Sequence, residues 1–459
     1  MFNRTLHILL VLVVALVWLG ACESSSSDAT APDASDGNLH DPLSMPATPT
    51  LNPDDFEESF TCAPCHPSHA DEWSTSSHAY AMHDPVFRAL VERRQEDLNE
   101  TEDQFCTQCH SAIGTRGGEI PPGFSFDDLS PIALEGVTCV ACHKVVGMER
   151  VYNSGHVLDA AAPMIGAIAD HQGTLAHASE YSDLIQSPEF CGGCHDVVET
   201  NGLNLERPLE EWMESAATGT DETCQSCHMP AREGQAVKEG PTRNIHSHRF
   251  KGVSIPLLEG FLPNDEVKEI LRAEAKELLE SSASLRLGLP ATVKAGTQLD
   301  VLVTIQNEIT GHNLPSGSNF IRQVWLELTV TDAEGKVLYR TGHLDEDGNL
   351  RNIWSKKDPF GDPDLITLTS ELLNSDGEPV LFTWDAVELV NRAIGPMHAR
   401  TYTLFVPVPE DAATPLELNA ALQFRALPPY LLDALGLSQY NDQLEIVPMA
   451  TTGASVDVE

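Results

Sequence analysis

Glu135-Gly136-Val137-Thr138-Cys139-Val140-Ala141-Cys142-His143 is the stretch on which the reading of this chain turns. It ends in Cys-x-x-Cys-His. The same pattern recurs as Cys62-Ala-Pro-Cys65-His66, Cys106-Thr-Gln-Cys109-His110, Cys191-Gly-Gly-Cys194-His195 and Cys224-Gln-Ser-Cys227-His228. Two thiols at this spacing can add to the two vinyl groups of one porphyrin, and the adjoining histidine then meets the iron from one face. Zinc knuckles, redox pairs and disulfide frameworks also use Cys-x-x-Cys. Zinc, however, pairs its knuckles in twos, and a thioredoxin-type pair occurs once, near a strand–helix junction. Five copies, each followed directly by His, predict five c-type haems with His66, His110, His143, His195 and His228 as proximal iron ligands.

Ten of the 11 cysteines are used in this way, and the one left over is Cys22. It follows Arg4, an apolar run from Ile8 to Leu19, and the small residues Gly20 and Ala21. This is the pattern of a secretory signal over residues 1–21, with an apolar run too short to span a membrane comfortably. A cysteine directly after the cut resembles the lipobox of bacterial lipoproteins, which implies lipidation of Cys22. Glu23 in the next position points to an outer-membrane lipoprotein facing the periplasm or the cell surface. Residues 22–53 are rich in Ser, Ala, Pro, Asp and Thr and carry too little apolar surface to fold, so they read as a flexible tether.

The formal charge of −42 repels nucleic acid, anionic lipid and acidic proteins, and suits basic redox proteins of the cell envelope. Residues 54–260 hold all five motifs among short helical pieces and loops, so porphyrins must supply much of that region's apolar core. Asn264 caps a helical pattern running to Ala283, with Val267, Ile270, Leu271, Ala275, Leu278 and Leu279 at helical spacing, and residues 261–283 read as a connector. From residue 284 to 459 the pattern alternates: Leu299, Val301, Val303 and Ile305, then Val324, Leu326, Leu328 and Val330, with later strands through Tyr402–Val408 and Leu416–Phe424. The expected fold class is a multidomain α+β chain, with a haem-packed, mainly helical and loop domain followed by an antiparallel β-sandwich.

A haem iron has a second axial position, and a second histidine there makes it a closed electron carrier. Of 18 histidines, His78, His156, His177, His246, His248 and His312 stand in contexts that make them candidates. His312 lies in Thr310-Gly311-His312-Asn313-Leu314-Pro315-Ser316-Gly317, inside the β region, where ligation would staple the sandwich to the haem domain. Met82, Met148 and Met229 also lie near motifs, with packing as their expected role.

Cys62–His66 followed by Trp73-Ser-Thr-Ser-Ser-His78, the Glu135–His143 stretch, and Phe190-Cys191-Gly-Gly-Cys194-His195 together resemble the cytochrome c554 family. The resemblance covers residues from about 60 to 250. It implies bis-histidine haems in stacked pairs, an electron-carrier role, and His78, His156 and His177 as distal ligands. The family has four haems and no long β tail, so its haem pairing does not transfer to this chain. Two functions follow as expectations. The first is a membrane-tethered electron carrier, with the sandwich as a possible docking module. The alternative is an oxidoreductase with one open haem acting on a small nitrogen or sulfur compound; the absence of a Cys-x-x-Cys-Lys motif counts against the nitrite-reductase form of it.

Overall fold

The structure, a computed structural model, describes residues 50–171 and 176–459; the signal segment, Cys22 and most of the expected tether lie outside the described residues. Residues 40–459 form one compact unit. The last part of the expected tether is bound to it: the amides of Thr50 and Leu51 both donate to the Arg116 carbonyl, at 3.0 and 3.2 Å.

The motif-bearing region is built from short helices, and the residue preceding a motif often starts the helix that carries it. Thr138 Oγ1 accepts from the Ala141 amide at the head of Cys139–His143. Ser187 Oγ accepts from the Phe190 amide at the head of Pro188–His195. Thr223 and Ser226 form a reciprocal capping box on Cys224–His228. In such a turn the two cysteines, three residues apart, fall on one face with the histidine beside them. The first motif makes the same turn without a longer helix, its His66 amide donating to the Cys62 carbonyl at 2.9 Å.

The expected connector helix spans Asp265–Ser282, with Asn264 Oδ1 accepting from the Val267 amide at 3.0 Å. It buries Ala275 and Leu279 and leaves Ile270 exposed, so only part of its apolar stripe is covered. It runs straight into the strand Ala283–Gly288.

Two antiparallel sheets make the C-terminal sandwich. One carries Ile446–Val458, Leu416–Arg425, Gln323–Thr331 and Val337–Thr341 in that order, with the short strand Thr292–Val293 added parallel at its edge. The other is Ala399–Pro407, Gln298–Asn307 and Ala283–Gly288. Alternation decides which side chains meet: Leu299, Val301, Val303 and Ile305 from one sheet and Val324, Leu326, Leu328 and Val330 from the other are all fully buried in one core. Gly335, at φ 81°, turns the hairpin between Gln323–Thr331 and Val337–Thr341, next to an irregularity in register at Val330/Thr331.

The sandwich is locked to the motif-bearing region by buried carboxylates. Glu211 accepts from the Asn313 amide at 3.1 Å, Asn313 Nδ2 at 2.7 Å and Ser316 Oγ at 2.5 Å. Glu206 accepts from Ser318 Oγ. A second internal tie joins the helix Pro85–Leu98 to the fourth motif's flank. There Arg94, only 2 % exposed, pairs with Glu199 at 2.6 Å and with Glu102, and its guanidinium stacks on Phe105.

Two stability predictions follow from these contacts. Glu199→Ala leaves a buried guanidinium short of its main partner and is expected to cost about 3 kcal/mol, read as a lowered denaturation midpoint at unchanged slope. Glu211→Ala removes the acceptor of three hydrogen bonds; a loss of roughly 2–3 kcal/mol is expected, with faster proteolysis between residues 311 and 318 as the local readout.

Candidate functional site

All ten motif cysteines and all five motif histidines line one continuous chamber of about 2140 Å³. Single small-ligand sites are usually about 300–1,000 Å³, so this volume suits several large cofactors sharing walls. The motifs approach one another inside it. The thiols of Cys62 and Cys139, of Cys109 and Cys194, and of Cys191 and Cys224 lie close enough to shift one another's ionisation. Motif one thus lies against motif three, and motif four against both two and five. Among the described residues no group of three or more His, Cys, Asp and Glu side chains is gathered around one point.

The motif imidazoles are oriented by the backbone. Nδ1 of His66 lies 2.6 Å from the Ala236 carbonyl, Nδ1 of His143 2.6 Å from Ile165, Nδ1 of His228 2.7 Å from Lys251, and Nδ1 of His110 3.2 Å from Ala81. An Nδ1–H donated to a carbonyl leaves the lone pair on Nε2, the nitrogen that can bind a metal.

Four motif rings face a second imidazole. Ring centres are 6.2 Å apart for His66 and His177, 6.2 Å for His195 and His78, 6.2 Å for His143 and His248, and 6.3 Å for His228 and His312. A first-row metal held between two imidazole nitrogens at about 2.0 Å each puts the ring centres roughly 6 Å apart. The residues therefore fit an iron between each pair. Distance alone is not the criterion, because His69 also lies 6.3 Å from His66. His69 sits one turn along the helix that His66 caps, with its ring inclined at 68°, so that spacing reflects chain adjacency.

Burial favours the neutral form of the His78, His248 and His312 rings. It lowers the His78 and His248 pKa values to about 3, and neighbouring imidazoles add to the effect. The same causes lower His69 to about 4.

Among the six distal candidates, His78, His177, His248 and His312 are brought opposite motif histidines. The other two are placed differently. His156 Nε2 lies 2.7 Å from the Phe190 carbonyl and its Nδ1 3.7 Å from Cys194 Sγ, so the ring is packed against the fourth motif's own helix. His246 ends the strand Thr242–His246 with Nδ1 2.8 Å from the Met229 carbonyl, and no motif ring faces it among the described residues. His110 faces no histidine among the described residues; Phe87 stacks on its ring at 3.9 Å, nearly parallel. Cys22 lies outside the described residues.

Several contributing groups carried no motif by which to find them. Glu72 accepts from the His248 amide at 2.9 Å and pairs with Arg232 at 2.8 Å, which places a distal imidazole. Phe250 lies between His78 and His248. Glu206 and Glu211 hold the loop that delivers His312.

Comparison with known proteins agrees with this geometry. Residues 61–144 match the family model described as cytochrome c554 and c-prime. A solved penta-heme cytochrome c552 from Thermochromatium tepidum superposes with a TM-score of 0.59 at 19% identity, over 88% of this chain and 99% of that one. The CARDB domain of a Pyrococcus furiosus protein and the cohesin module of a Clostridium perfringens glycoside hydrolase each align over 39% of the chain, at 8% and 7% identity, covering 86% and 98% of their own chains, with TM-scores of only 0.17 and 0.16. No curated protein matches the sequence. The likeness to the penta-heme protein is one of fold, spanning nearly the whole of both chains. Residues 61–144, which hold the first three Cys-x-x-Cys-His motifs, are similar to the cytochrome c554 and c-prime family, and the chain as a whole shares the fold of a penta-heme cytochrome.

Proposed function

We propose that this chain is an exported pentahaem electron carrier. The observation that carries the reading is the set of four facing imidazole pairs inside one chamber lined by all five motifs. In it, Cys62/Cys65, Cys106/Cys109, Cys139/Cys142, Cys191/Cys194 and Cys224/Cys227 each hold one haem, with the adjoining histidine as proximal ligand. His177, His248, His78 and His312 complete the irons of the first, third, fourth and fifth motifs. A bis-imidazole haem exchanges single electrons with little change in its ligand shell. The protein's part is to hold each imidazole through Nδ1 or through packing, and to bring neighbouring motifs close together at Cys62/Cys139, Cys109/Cys194 and Cys191/Cys224.

The chain's acidity, −42, favours basic redox partners of the cell envelope. Cys22 serves as a lipid anchor to the outer membrane, and residues 23 to about 49 give the cytochrome reach from it. The sandwich contributes His312 as a ligand and offers its outer surface for docking. One observation favours an additional reading. His110 faces no histidine among the described residues, so the second haem has a position at which a small nitrogen or sulfur compound could bind.

Three measurements test this. The mature chain should carry the mass of five haems, and Cys224→Ser with Cys227→Ser should remove the mass of one. EPR of the oxidised protein should show four low-spin haems and one high-spin haem, and Cys106→Ser with Cys109→Ser, which removes that haem, should abolish the high-spin component alone; five low-spin signals would leave no open iron. Cys22→Ser should move the protein from the membrane to the soluble envelope fraction with its optical spectrum unchanged.

A further inference from the structure

Three of the four facing pairs share a feature that the fourth lacks. In His66/His177, His143/His248 and His228/His312 every ring holds Nδ1 within 3.2 Å of a backbone carbonyl oxygen. In His78/His195 neither ring does. Among the described residues His78 Nδ1 is buried without a hydrogen-bond partner, and the His195 ring makes no hydrogen bond.

Phe250 explains how His78 is held instead. Its ring lies 4.1 Å from the His78 ring at 63°, and 5.9 Å from the His248 ring at 72°. The backbone places Phe250 at φ 51°, in the left-handed region that a bulky side chain rarely adopts. Such a conformation persists only where the surroundings impose it. Here it turns an apolar ring onto an imidazole that would otherwise find an acceptor.

The consequence is electronic. An imidazole that donates Nδ1–H to a carbonyl becomes a more basic ligand, which favours the ferric iron. An imidazole with no acceptor is the weaker donor, and the apolar Phe250 ring packed on His78 disfavours the extra positive charge of the ferric state beside it. Both effects act in the same direction. The acidic group on the other side is Glu206, which interacts with His195; it is bonded to Ser318, and its charge is offset by Arg322. The fourth motif is also the one whose thiols lie close to two others, at Cys109/Cys194 and Cys191/Cys224.

We propose that His78, capped by Phe250 and left without an Nδ1 acceptor, makes the cofactor held by Cys191 and Cys194 the highest-potential of the bis-histidine haems, the node at which electrons entering the chain collect. This rests on the ligand assignment proposed above. Phe250 is a positioning residue in this scheme: it acts through His78 and touches no iron.

The test is a potentiometric titration of the full, haem-loaded chain followed by EPR. His78→Ala should remove the low-spin signal that is reduced first and leave the other three. Phe250→Gln sets an amide acceptor beside His78; it should keep all low-spin signals and shift only that component to later reduction. The proposal is overturned if His78→Ala removes a signal that is reduced later, or if Phe250→Gln leaves the order and midpoints unchanged. Loss of no low-spin signal in His78→Ala would instead refute the ligand assignment itself. Because Phe250→Gln retains every ligand, it decides the matter even where His78→Ala does not mature.

Discussion

Two imidazoles about 6 Å apart, ring centre to ring centre, leave room for one metal ion between them, and this chain sets up that spacing four times with partners drawn from remote segments. His66 meets His177, His78 meets His195, His143 meets His248, and His228 meets His312. Each pairing closes a long loop, and closing it orders the chain between. The covalent attachment at the cysteines fixes one end of each arrangement locally. The facing histidine fixes the other end globally.

That requirement explains why so much of the remaining structure is polar and buried. An imidazole aimed at a metal needs its Nδ1 restrained, and backbone carbonyls at Ala236, Ile165 and Lys251 do this for three of the motif rings. The carbonyls come from loops that have little else to do with the motifs, so the loops are held in turn. Glu72 binds the His248 amide, Glu211 gathers Asn313 and Ser316 around His312, and Glu206 holds Ser318. Buried carboxylates are costly unless fully hydrogen-bonded, and these are placed where a loop must be set to within a fraction of an ångström. The sandwich, with its own dry core, is the rigid body from which the His312 loop projects.

The contacts between motifs give the region a branched arrangement. Motif one lies against three, motif four against two and five, and Phe250 spans the histidines that belong to three and four. The second motif is thus at the end of a branch, and its His110 is the one proximal ring packed against an aromatic side chain with no facing imidazole among the described residues.

The five motifs, the helix after Asn264 and the alternating strands were legible in the sequence because each rests on local chemistry: adjacent residues that share a turn, a cap with its apolar stripe, and a pleat of period two. The sandwich core shows this directly, since Leu299 to Ile305 and Val324 to Val330 are buried at every second position. Which histidines face one another was only partly legible. His156 stands close to a motif in the sequence, yet its ring is taken up by the Phe190 carbonyl, while His312, far along the chain, reaches the fifth motif's histidine. Which imidazoles face each other, which Nδ1 finds an acceptor, and that Phe250 rather than a carbonyl meets His78 were decided by tertiary structure, because each depends on the packing of segments separated by many turns of chain and not on the residues beside it.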